Sequence, residues 1–187
     1  MSRTLPAAAL AAILLTGPAT ADEITDALRD AIAAYEAGEL GTALEDVARA
    51  TGLLVSLRSQ GLADFLPPAL DGWSREVSGD AAEGLGFMGG GLIVEAVYAG
   101  PEDAFSIVMV ADNPVVGAMA AMFANPAMMS TMGRVEEIGG ESFLDADGEV
   151  SALVGGRVLV QASGAALPAM RAHLERIDFG ALADFGR

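Results

Sequence analysis

Sulfur is the one unusual chemical resource this chain holds in quantity. Five of its nine methionines, Met119, Met122, Met128, Met129 and Met132, lie between Asp112 and Arg134, where no residue is charged. Met119 with Met122, and Met129 with Met132, are three residues apart, so a helix sets each pair on one face. Thioethers are soft ligands that suit monovalent copper, and these four would form that site. The same spacing serves two other ends, because methionine fills irregular cores and also lines adaptable apolar grooves. A groove here would be walled by Met119, Met122, Phe123, Met128, Met129 and Met132. Trp73, the one tryptophan, would either plug the core at the start of a strand or add a stacking surface to that groove.

Other chemistries lack parts. The chain has no cysteine and a single histidine, so neither a thiolate site, a zinc site nor a nucleophile triad can be assembled from the usual residues. His173 is expected on the surface of the last helix. The 26 carboxylates could serve acid–base work, but nothing in their spacing selects a pair. Gly84-Leu85-Gly86-Phe87-Met88-Gly89 matches the dinucleotide pattern G-x-G-x-x-G, yet a polar loop precedes it and a strand follows. The motif works only when it follows a strand and opens a helix whose N-terminus meets the pyrophosphate. Asp145, Asp147 and Glu149 begin like a calcium loop, but Gly148 comes too early and Gly155-Gly156 stand where the closing acid belongs. A hairpin turn is the expectation there. No cofactor and no catalytic residue is expected, and the chain is expected not to be an enzyme.

The elements that would position these residues are legible from periodicity. Over 22–37, Ile24, Leu28, Ala31, Ile32 and Tyr35 share a helical stripe. Over 40–57, Leu40, Ala43, Leu44, Val47, Ala50, Leu54 and Leu57 share another. Gly38 separates them, so an antiparallel hairpin is predicted. Pro67-Pro68 ends the helical part. Strands are predicted over 92–98 and 104–111. Asn113-Pro114 and Asn125-Pro126 are helix-start signals, which break the uncharged stretch into two short helices. Four further strands, over 134–138, 141–144, 149–154 and 157–162, are divided by Gly139-Gly140, Asp147-Gly148 and Gly155-Gly156, all hairpin signals. A last helix over 166–177 places Leu167, Met170, Leu174 and Ile177 inward and leaves Arg171 and Glu175 to pair outward. The fold class is therefore α+β: an N-terminal helix hairpin, then an antiparallel sheet of about six strands covered by helices.

Arg3, the apolar run over 5–15 and Ala19-Thr20-Ala21 read as an export signal cut after Ala21. The expected organisation is a signal peptide over 1–21, a helical hairpin over 22–66 and an α+β sandwich over 67–187. The expected location is periplasmic. A net charge of −16 repels nucleic acid and anionic headgroups. No nucleic-acid partner and no stable membrane anchor is expected.

Two resemblances follow from particular residues. Ala34-Tyr35-Glu36-Ala37-Gly38-Glu39-Leu40, with Ala43 and Ala50, resembles the turn of a tetratricopeptide-type helix pair, although no second copy follows. The proline-rich lead-in, Gly72-Trp73, a strand pair and Asp112-Asn113-Pro114 resemble a group of uncharacterised exported bacterial proteins, and the architecture is similar to that of the PsbP and Mog1 group. That resemblance implies an accessory or binding role and lends no catalytic residue. The expected function is a non-catalytic, exported, Met-rich accessory or binding protein whose hydrophobic groove takes a small apolar ligand or a segment of a periplasmic protein partner. The alternative is soft-metal handling by the same sulfurs.

Overall fold

The computed structural model describes residues 19–78 and 90–187. Most of the expected leader and the Gly84–Gly89 motif lie outside the described residues. The chain divides into two compact units, 1–54 and 55–187. The division falls inside a helix and not after residue 66.

In the first unit, α1 (Ala19–Glu36) turns back into α2 (Leu40–Ala63). Gly38 has φ 79°, and the Glu39 and Gly38 amides donate to the Ala34 and Tyr35 carbonyls, so two orphan carbonyls of α1 are satisfied within the turn. Ile24, Ala27, Ala31 and Ala34 of α1 and Ala43 and Ala50 of α2 are buried. The seam therefore runs at heptad spacing through alanines, which let two helices approach closely. This corrects the expected stripes: Leu28, Ile32, Tyr35, Leu40, Leu44, Val47 and Leu54 are exposed, because the small residues occupy the seam and push the large ones to its flank.

The second unit is built on one antiparallel sheet of β1 (Ser74–Ser78), β2 (Leu92–Ala99), β3 (Ala104–Ala111), β4 (Arg134–Ile138), β5 (Glu141–Ala146), β6 (Glu149–Val154) and β7 (Val158–Ser163), in the order β1-β2-β3-β7-β6-β5-β4. The strand for which no range was expected is β1, which begins directly after Trp73, where a strand start was expected; its polar sequence SREVS shows no alternation and it lies at the sheet edge. Asp147 and Gly148 have φ 53° and 82° between the paired residues Ala146 and Glu149, the two-residue turn whose twist matches the strands.

Alternation sorts the side chains onto two faces. Leu92, Val94, Ala96 and Tyr98 of β2 pair with Ala111, Met109, Ile107 and Phe105 of β3 and belong to the main core. That core continues through Val158, Val160 and Ala162 of β7 and Val150, Ala152 and Val154 of β6. It is covered by Leu62 and Leu66, by Met170 and Leu174 of α5 (Leu167–Leu174), by Ile177, and by Phe179 and Leu182 of α6 (Phe179–Ala183). The other face is covered by α3 (Pro114–Phe123), whose Val116, Met119 and Phe123 pack with Ile93, Val108, Val110, Leu153 and Leu159. The short α4 (Pro126–Met132) follows. The uncharged stretch is two helices, as its proline signals require. Asn113 accepts from the Val115 amide, and Asn125 accepts from the Ala127 and Met128 amides.

Arg171 pairs with Glu175 at 3.8 Å, but its closer bonds are to Glu136 at 2.6 Å and the Glu137 carbonyl at 2.7 Å, which tie α5 to the edge strand β4. Just past the end of β3, Asp112 accepts from Arg58 at 2.5 Å and from Arg157 at 2.7 Å. Its φ of 54° is a left-handed conformation that asparagine also tolerates. The hydrogen bond from Arg157, then that from Arg58, holds the Asp112 carboxyl below its ordinary value of 3.8. A depressed carboxylate contributes stability that is fully present above the unfolded value and lost as pH falls through the folded one. Asp112→Asn keeps the backbone and removes the charge. It should cost about 1 kcal/mol at neutral pH, because both arginines are more than a third exposed. In urea titrations that difference should shrink as the pH is taken below 3.8.

Candidate functional site

Met129 is 1 % exposed, whereas Met132, its helical neighbour in the expected metal set, is 54 % exposed. The two sulfurs therefore serve different surroundings. Met119 and Phe123 are half-buried against the sheet, Met122 is also half-buried, and Met128 lies exposed. The methionines are thus divided among core, helix flank and solvent. Among the described residues, no group of three histidine, cysteine or carboxylate side chains is placed to hold a metal ion.

Trp73 is not brought to these helices. It packs on the main core, the face opposite α3, with its ring 5.3 Å from Phe105 and 5.0 Å from His173. Its six-membered ring fills the place a Cβ would take at Gly100, where an added carbon would lie 2.8 Å from it.

His173 is fully buried, which corrects the expectation of a surface histidine. It sits among Trp73, Tyr98 and Phe105, with centroids 4.8 to 5.0 Å away. The Leu70 amide donates to its Nε2 at 3.4 Å, so Nδ1 carries the proton and donates to the Ala169 carbonyl at 3.0 Å. Both ring nitrogens are engaged by backbone groups within the fold. Tyr98 donates to the Pro67 carbonyl at 2.6 Å, and burial pushes its hydroxyl up to about 12. This cluster closes the core where the chain leaves α2 for the sheet. It is packing chemistry, with the Tyr98 hydroxyl and both His173 nitrogens given backbone partners.

A concave apolar surface lies on the hairpin. Leu28, Ala31, Ile32 and Tyr35 of α1 and Leu40, Ala43, Leu44 and Val47 of α2 line an open groove of about 670 Å³. No charged residue lines it. Alanines form its floor and the large side chains form two ridges, with Tyr35 68 % and Leu44 71 % exposed. Both arginines of the hairpin before residue 55 are paired: Arg29 with Asp26 at 3.0 Å, and Arg49 with Asp30 at 3.1 Å and Asp46 at 2.7 Å. The hydrogen bond that Arg49 donates to Asp30 is the main cause that raises its guanidinium further. Sequence periodicity found all eight groove residues except their direction. The signal that marks the direction is Ala27, Ala31 and Ala34 at heptad spacing beside the larger stripe.

The α+β architecture defines the class of the chain. No family model, no curated protein and no solved structure matches it. Among the described residues, no helix is long and apolar enough to cross a membrane.

Proposed function

We propose that the chain is a non-catalytic exported accessory protein that works by apolar docking, and that its recognition surface is the hairpin groove. The observation that supports this reading is the charge-free groove itself, an apolar face left bare on a chain of net charge −16. Exposed apolar patches of this kind mark interaction sites on soluble proteins. Its occupant is a helical segment, and the same open apolar floor admits a small apolar dye as a probe. Small ligands are held in concavities that bury most of their surface, whereas two ridges over a shallow floor receive an amphipathic helix.

The reading is tested with Nile red, a neutral dye that brightens in apolar surroundings, added to dilute chain from Asp22 onward. The dye should bind. Ile32→Asp combined with Leu44→Asp should weaken it by about tenfold or more, since each places a carboxylate in the groove. Replacing Met119, Met122, Met129 and Met132 with leucine should leave dye affinity unchanged. The opposite pattern would move the site to α3 and α4 and end the hairpin reading.

A further inference from the structure

We infer that the segment docked in this groove is the hairpin of a second copy of the chain, the two hairpins closing as a four-helix bundle. This rests on the apolar-docking reading above and names its partner. Leu28, Ile32, Tyr35, Leu40, Leu44 and Val47 are 44 to 71 % exposed. The area they leave bare is of the order of the roughly 800 Å² per partner that a stable interface buries.

The shape of the face favours a copy of itself. A two-fold interface sets the same patch against itself, so each feature has to find its complement on the same surface. This one carries both members of the match: protruding Ile32, Tyr35 and Leu44, and the low floor over Ala31 and Ala43. Large side chains seated over alanines are the knobs and holes by which helices of a bundle pack. The charges also permit it. No charged residue lines the groove, and Arg29 and Arg49 are already paired with hairpin carboxylates, so closure sets no charge against the apolar floor.

Charge also distinguishes this partner from any other. Two copies each carrying −16 repel at long range, so screening by salt should strengthen their association. A basic amphipathic segment from another protein would be attracted, and salt would weaken its binding.

The test is sedimentation velocity across the micromolar range on the chain from Asp22 onward, at low and at physiological ionic strength. The expected result is a dimer that tightens with salt and that competes with Nile red, so that dye bound per chain falls as protein concentration rises. Ile32→Glu and Leu44→Glu, on different helices and both at exposed positions, should each weaken it by about a hundredfold with helical circular dichroism unchanged. Val115→Glu and Met132→Glu, exposed apolar positions outside the groove, should leave it intact. A monomer that still fills with dye would overturn the second copy and leave the docking reading standing, and a monomer that takes no dye would overturn both. A dimer that survives both groove carboxylates, or an association weakened by salt, would also overturn the inference.

Discussion

His173→Ala is expected to remove about 3 to 5 kcal/mol of stability, a large share of what a domain of this size holds. The substitution empties a site enclosed by Trp73, Tyr98 and Phe105, and it leaves the Leu70 amide without its acceptor. His173→Phe separates the two causes. A ring is kept, so most of the packing survives, but the part-buried Leu70 amide is orphaned, and the expected cost falls to about 1 to 3 kcal/mol. Trp73, the sole tryptophan, reports directly on the site, because its ring lies 5.0 Å from the imidazole. Urea titrations followed by its fluorescence should rank wild type above His173→Phe and His173→Phe above His173→Ala. Equal stability of all three would mean that His173 is not the keystone of this core.

Gly133→Ala should be the most damaging single-carbon addition in the Met-rich stretch. The glycine joins α4 to β4 in extended backbone, φ −177° and ψ −162°, which any residue adopts, so conformation is not the obstacle. Space is. An added Cβ would stand 2.4 Å from the Asp145 carbonyl oxygen and 3.0 Å from Leu144 Cδ1. A backbone oxygen cannot swing aside as a side chain can, so β4 has to part from β5. The expected cost is about 2 to 3 kcal/mol, or a Tm lower by roughly 5 to 10 °C. Hydrogen exchange should quicken at 134–138 and remain slow in the β2–β3 ladder. The same change at Gly117, inside α3 with nothing within 4 Å, should stabilise by about 0.5 to 1 kcal/mol. If the two substitutions behaved alike, close approach at Gly133 would not be the governing effect.

Local chemistry made much of the fold readable. The caps at Asn113 and Asn125, the proline break between α3 and α4, and the two-residue turns at Gly139-Gly140 and Asp147-Gly148 each depend on neighbouring residues. The start of β1 beside Trp73 was readable, but its extent was not, because an exposed edge strand carries no alternating pattern and its partners are supplied by β2. His173 was misplaced for a related reason. Its position flanks the inward stripe of α5, and only the rings of Trp73, Tyr98 and Phe105, distant in the chain, turn that flank into interior.

The amino-acid sequence by itself determined which chemistry the chain lacks, where its turns and caps fall, and that large apolar stripes run along both N-terminal helices. Tertiary structure decided which way those stripes face. A 3.6-residue period specifies that apolar side chains share one side of a helix, but not what lies against that side. Here alanines close the seam and leave leucine, isoleucine and tyrosine bare, while the methionines that looked available are shared among core, flank and solvent. Direction is a property of the packed partner, and a single helix does not encode its partner.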